Sequence, residues 1–265
     1  MRTLAITNQK GGVGKTTTCL NLGAALRTRG RKVLLIDSDP QESLTLSLGV
    51  PTPQPGKSLS DLLLGTARLA DVMVPAQGMH LVPAGSDLGE AEVDLTADPT
   101  ASGLLALKKA LALVSEEFDF TIIDCPPSLG VLTISAMAAS NAVLIPTQTE
   151  YLALRRLGAT LRAVFKVRRR LNPFLEVAGI LPTLFDPRTQ HAAKVLEQIK
   201  QTLGQEYPVF KPVPRSIHFA EAAQVGKPIF ELSRDIEGAK AYAQLAAKLD
   251  RDDASPPPIS SSLFN

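Results

Sequence analysis

Lys10-Gly11-Gly12-Val13-Gly14-Lys15-Thr16 follows a short apolar run at residues 3–7 (TLAIT) and precedes a helical pattern at residues 17–29. Strand, glycine loop and helix in that order form the setting in which backbone can hold phosphate. Glycine N–H groups approach an anion closely because no Cβ intervenes. The helix adds its unpaired N–H groups and the positive end of its dipole. In such a loop Lys15 reaches the outer phosphates and the Thr16 hydroxyl ligates magnesium. The common P-loop spacing, G-x-x-x-x-G-K-[ST], puts a glycine at position 9, where this chain has Gln9. The loop is therefore a variant with a second lysine, Lys10, at its entrance. Gly11, Gly12, Val13, Gly14, Lys15, Thr16 and Thr17 are the candidate nucleotide contacts.

The same alternation continues outward from the loop. Residues 32–37 (KVLLID), 119–124 (DFTIID), 142–146 (AVLIP) and 177–184 (VAGILPTL) are apolar runs, and helical patterns at 103–117 and 151–171 lie among them. Uniformly apolar strands point to a parallel sheet covered on both faces. The expected fold is α/β, a doubly wound and mostly parallel sheet of P-loop NTPase type, with its ligand at the carboxyl ends of the strands. A length of 265 residues suits one such domain, expected over residues 1–250. Residues 51–58 read as a Pro-rich surface loop, and residues 87–102 as irregular or partly helical. The tail at 251–265, rich in Pro and Ser, is expected to be disordered.

Charge and cysteine usage exclude several classes. A net charge of +2 is too small to imply nucleic-acid binding without a local patch. Cys19 and Cys125 form neither a C-x-x-C pair nor a disulfide framework, which points to a reduced cytoplasmic setting and to structural thiols. The first residues enter the first strand directly, so neither a signal peptide nor an N-terminal helix-turn-helix is expected. No run is long enough to span a bilayer.

Two acidic segments belong with the loop. Asp37-Ser-Asp39-Pro-Gln41 ends one apolar strand, and Asp124-Cys-Pro-Pro-Ser-Leu-Gly130 ends another. An acid after an apolar strand is where P-loop enzymes place the carboxylate that holds magnesium, directly or through water.

KGGVGKTTT, LLIDSDPQ, DFTIIDCPPSLG, VLIPTQTEYLAL and LPTLFDPRTQ together resemble the ParA/Soj partition ATPases, in the deviant Walker A group that includes MinD. The similarity runs from about residue 3 to residue 249. It implies ATP and Mg2+ as cofactors and an ATP-dependent homodimer that sandwiches two nucleotides. Lys15 then binds phosphate, Thr16 binds magnesium, and Asp37 and Asp124 take the magnesium-shell positions. Lys10 crosses to the partner's ATP, and Asp39 orients the attacking water. Thr183, Pro214 and Arg215 match adenine-contacting walls. The resemblance also implies non-specific double-stranded DNA binding on the nucleoid, with Arg188 and Arg215 as contacts, and a ParB-type centromere-binding partner that stimulates hydrolysis. Where a second DNA-contacting arginine is common in the family, this chain has His218.

Other features separate the alternatives. Arg155, Arg162, Lys166 and Arg169 recur at helical spacing opposite Leu154, Leu157, Leu161 and Phe165, giving a basic stripe that either is a solvated face or touches DNA. A MinD-like membrane ATPase needs a terminal amphipathic helix with bulky apolar residues. The last helix, read at 235–249, is instead Ala-rich and followed by acids and prolines. Iron–sulfur relatives need paired cysteines that are missing here. An ATP-using enzyme that activates a small carboxylate is disfavoured by the Arg188 segment and by the lack of a substrate domain.

Overall fold

The computed structural model describes residues 1–97, 103–233 and 235–251. The expectation of a disordered tail falls almost wholly outside these residues. Strand β1 (Arg2–Ile6) lies inside a seven-stranded sheet, flanked by β5 (Phe120–Asp124), the central strand, and β6 (Ala142–Gln148). Beyond β5 come β2 (Val33–Asp37), β4 (Met79–Val82) and β3 (Val74–Ala76); beyond β6 comes β7 (Glu176–Thr183). Every pairing is parallel except β3 with β4.

The apolar runs become strands because both sheet faces are covered, so alternate side chains feed two cores. Leu4 and Ile6 of β1, Leu35 of β2, Ile122 of β5 and Leu144 of β6 enter one. Ala5, Leu34, Ile36, Ile123, Val143 and Ile145 enter the other. The first core is closed by α1 (Lys15–Thr28) and α12 (Glu237–Arg251), which pack together. Tyr242, Leu245 and Leu249 are the main contribution of α12. The second is closed by α6 (Ala106–Ala112), α7 (Val131–Ala139), α8 (Ala153–Arg170) and α9 (Gln190–Leu203), among shorter helices. Each fully buried Leu or Ile contributes about 1.5–3 kcal/mol, so both faces are needed to hold the sheet.

The structure departs from the sequence reading in three places. The β3–β4 hairpin was not expected; its turn places Gln77 at φ 50° and Gly78 at φ 71°, the left-handed pair of a tight hairpin. The helix expected at 103–117 is short, and Leu113 just beyond it is 84% exposed. On α8 the buried direction runs through Ala153, Leu157, Thr160, Leu161, Val164 and Val167. Phe165, expected on the apolar stripe, is exposed, because one residue past Val164 turns about 100° away from the core. Within 87–102, residues Leu88–Ala97 form helix α5.

Candidate nucleotide site

Residues 7–14 connect β1 to α1 at the carboxyl end of the sheet. Gly14 adopts φ 85°, ψ 31°, a left-handed conformation that turns the chain into the helix and that a side chain would strain. Gly11 and Gly12 are exposed at the tip of the loop. The loop is pinned from behind: the Thr183 hydroxyl, at the end of β7, donates to the Val13 carbonyl at 2.7 Å. The Thr18 hydroxyl donates to the Gly14 carbonyl at 2.6 Å and meets the Tyr242 hydroxyl at 3.1 Å, tying the loop to α12. Lys15 is buried, and its Nζ donates across the loop to the Lys10 carbonyl at 3.2 Å.

The strand-end acids converge as the sequence implies. Asp37 and Asp124 are paired positions of neighbouring strands β2 and β5, and the Ser38 N–H donates to the Asp124 carbonyl at 2.9 Å. Both side chains are fully buried, but their environments differ. Asp37 accepts the Thr45 N–H and hydroxyl at 2.8 and 2.7 Å and the Asp39 N–H at 3.2 Å. Its carboxyl is nevertheless pushed up to about 6, mainly by burial. Asp124 has no hydrogen-bond partner on either carboxylate oxygen. The Thr16 hydroxyl faces it and opposes the upward shift, without closing a bond of normal geometry. Burial first and the Asp37 charge second push Asp124 up to about 8, and Lys15 also works against the rise.

A buried carboxylate with both oxygens unsatisfied is costly, and a divalent cation would relieve that cost. Thr16 beside it supplies the hydroxyl that magnesium takes in P-loops. Among the described residues no cluster of three or more His, Cys, Asp or Glu is placed to hold a metal. Asp37, by contrast, is committed to Thr45 and Asp39. Asp39 is nearly buried, with Oδ1 accepting the Gln41 N–H at 3.0 Å.

Lys10 points elsewhere. Its ammonium pairs with the Glu150 carboxylate and the Gln148 amide oxygen, and Arg156 shares Glu150. The bond from Lys10 is the leading reason that Glu150 sits below the usual carboxylate range. Asn8 braces the same entrance, accepting the Lys10 N–H at 3.1 Å and donating to the Pro146 carbonyl at 2.7 Å. Sequence reasoning missed Asn8, Gln148, Glu150 and Tyr242. The first three meet the loop only because β6 lies next to β1 in the sheet, an adjacency that no local sequence pattern encodes.

Thr183 and Pro214, with Gly14, Thr17, Phe219 and Tyr242, help line a cavity of about 280 Å3 beside the loop, large enough to begin a ligand site. Arg215 is exposed at its margin; its N–H donates to the Phe185 carbonyl at 3.0 Å. Arg188 is also exposed and grips Asp186 with two bonds, of 2.9 and 2.8 Å. Those bonds, with a smaller effect of Arg215, hold Asp186 down at about 2. Arg188 binds this carboxylate directly, and Arg215 acts on it only through its charge. His218 pairs with Glu221 at 2.8 Å instead of adding a permanent cation. Cys19 and Cys125 are fully buried and their thiols are pushed up, which makes them core residues and poor nucleophiles.

Residues 1–177 match the family model described as AAA domain. The sporulation initiation inhibitor protein Soj of Bacillus subtilis (strain 168) is 42% identical over 249 residues, 93% of this chain and 97% of that protein. The chromosome partitioning protein ParA of Caulobacter vibrioides (strain NA1000 / CB15N) is 39% identical, covering 94% of both chains. Among solved structures, cobyrinic acid a,c-diamide synthase from Mycobacterium smegmatis with bound ADP and magnesium superposes with a TM-score of 0.83. It is 40% identical and covers 98% of this chain and 99% of its own.

Proposed function

Because the chain belongs to the ParA/Soj-type partition ATPases of the deviant Walker A group, we propose that it moves DNA by switching between a monomer and an ATP-sandwich homodimer. It is a Mg2+-dependent ATPase. Lys15 and the loop N–H groups hold the phosphates, and Thr16 with Asp124 holds magnesium. Bound there, the ion offsets charge on the phosphoryl oxygens. Asp39 orients the attacking water. Lys10 leaves Glu150 and reaches the partner's nucleotide, acting as an arginine finger does, in a role that supplies roughly 10³–10⁵ in rate.

The observation that carries the sandwich is the opposite setting of the two lysines. Lys15 is buried under the loop, whereas Lys10 stands at the loop entrance with its side chain 27% exposed and its ammonium on Glu150 and Gln148. A lysine under the loop serves its own nucleotide and one at the entrance serves a second subunit. Non-specific double-stranded DNA then binds through Arg188 and Arg215, placing the protein on the nucleoid, and a ParB-type partner stimulates hydrolysis and release.

A MinD-like membrane role is disfavoured by α12, whose bulky apolar side chains are packed against α1. No described helix is long and apolar enough to cross a membrane.

The test is co-sedimentation with DNA and with liposomes in ATP, ADP and no nucleotide, alongside ATP turnover, for wild type and Asp39→Ala. DNA binding only with ATP, and retained by an Asp39→Ala protein that turns over slowly, supports the proposal. Liposome binding, or near-normal turnover in Asp39→Ala, overturns its corresponding part.

A further inference from the structure

The basic stripe of α8 is not used by the nucleotide site. Arg162, Lys166, Arg169 and Arg170 are exposed, and among the described residues none has a carboxylate partner. Two hollows flank this ridge and share Arg162 and Lys166. One, of about 390 Å3, lies between α7 and α8 over Leu129, Ile134, Met137, Ala163 and Val167, and it reaches Gln9 at the entrance of the phosphate loop. The other, of about 330 Å3, is lined by Arg162, Lys166, Arg169 and Arg170 around Phe165, which is 37% exposed. Neither hollow is lined by an acid.

We infer that this surface docks an acidic amphipathic segment of a partner protein. The apolar floor between α7 and α8 takes its bulky side chains, and the cations around the second hollow take its carboxylates. The pattern fits a helix with apolar anchors at i, i+3, i+4 and i+7, bordered by Glu or Asp. Charge complementarity selects this occupant: an apolar hollow beside a cationic one needs a ligand that alternates both chemistries. Duplex DNA supplies anions but nothing to fill the floor. An anionic membrane is flat, whereas this floor is concave. The inference does not depend on the DNA-moving role, since the surface is independent of Arg188 and Arg215. Its contact with Gln9 places the occupant one residue from Lys10, so occupancy can be felt at the loop.

The experiment uses the full chain and a fluorescein-labelled 18-residue helical peptide with Leu and Phe at the anchor positions and Glu beside them. Controls are the same peptide with Lys for Glu, a 24-bp duplex and anionic vesicles, each read by anisotropy or sedimentation. Arg162→Glu with Lys166→Glu removes the ridge, and Ala163→Phe fills the larger hollow. Unchanged melting and basal ATP turnover confirm that the variants fold. The acidic peptide should bind wild type and lose at least about tenfold in affinity in either variant, equivalent to about 1.4 kcal/mol. The lysine peptide should not bind. Absence of acidic-peptide binding overturns the proposal. So does loss in the charge variant alone with full affinity in Ala163→Phe, or binding of duplex or vesicles, but not peptide, that depends on the same residues.

Discussion

Asp124 shows how a site is assembled at a cost in stability. Folding buries its carboxylate without a hydrogen-bond partner and raises it to about 8, while Asp37 beside it rises to about 6. Both groups hold protons more tightly folded than unfolded. Their contribution to stability is therefore fullest below about pH 4 and is lost progressively as pH rises toward about 8. Asp124→Asn should flatten that decline. Its melting temperature without nucleotide should exceed that of wild type at pH 8 by a few degrees, at roughly 2–4 °C per kcal/mol, with little difference at pH 5. Mg2+-dependent hydrolysis should be lost. Scanning calorimetry across pH 5–8.5 reads the difference between the two proteins, and a gap that widens toward acid would contradict the assignment. Lys10 offers a second case. Glu150 holds it within its own chain, so the proposed dimerisation would have to break an exposed pair worth about 0.2–1 kcal/mol. Glu150→Gln should tighten the dimer formed with a non-hydrolysable ATP analogue by up to about fivefold. Sedimentation velocity measures this, and a weaker dimer would mean that Glu150 serves the partner subunit instead.

At the scale of elements, legibility followed distance along the chain. The phosphate loop and its flanking strand and helix are consecutive, so glycines, lysines and apolar periodicity reveal them together. The strands β2, β5, β6 and β7 were readable because burial on both faces makes each a continuous apolar run. The β3–β4 hairpin was not: Val-Pro-Ala and Met-His-Leu-Val are short, and Pro75 in an edge strand argues against a strand at all. Likewise Glu150 and Asn8 gain their roles only from the adjacency of β6 and β1, which no local pattern encodes. Phe165 was misplaced because two apolar residues four apart on a helix share a face only in part once the core direction is set by others. The C-terminal helix shows the same tertiary logic. In sequence α12 is an Ala-rich amphipathic segment; in the fold Leu245 and Tyr242 fill the core against α1, and the Tyr242 hydroxyl reaches Thr18 behind the loop. Leu245→Ala should therefore destabilise the protein by about 2–5 kcal/mol in urea denaturation. Liposome binding should not change. A neutral effect on stability, with altered membrane affinity, would show that α12 is displaced from α1 in use.

For the whole molecule, the question is how one chain meets another and then meets DNA. A Cβ at Gly11 has no atom within 4 Å, so the folded monomer accommodates a side chain there. The same exposed position adjoins Lys10, where two backbones approach around the nucleotides in a sandwich. Gly11→Val should bind a fluorescent ATP analogue with near wild-type affinity yet remain monomeric, and an ATP-dependent dimer of this variant in sedimentation would count against the sandwich. In the proposed function, DNA binding would depend on the dimer. Asp186 neutralises much of Arg188, and Arg215 leaves the rim with only a small positive excess. One rim per subunit is a weak anion site, whereas the proposed dimer would present two in fixed relation, which would make DNA affinity depend on ATP. Arg188→Glu reverses the balance of the rim, placing two carboxylates where one was gripped. It should weaken ATP-dependent DNA binding by at least about tenfold, since each rim loses a phosphate contact, while nucleotide affinity stays largely intact. Wild-type binding should fall with salt at a log–log slope of about −0.9 per phosphate neutralised, and the variant's slope should be shallower. Two unrelated duplexes should bind alike, because phosphate contacts position a protein without reading bases. Mobility shifts across a salt series measure all three quantities. Wild-type affinity in Arg188→Glu would remove this rim from the DNA surface.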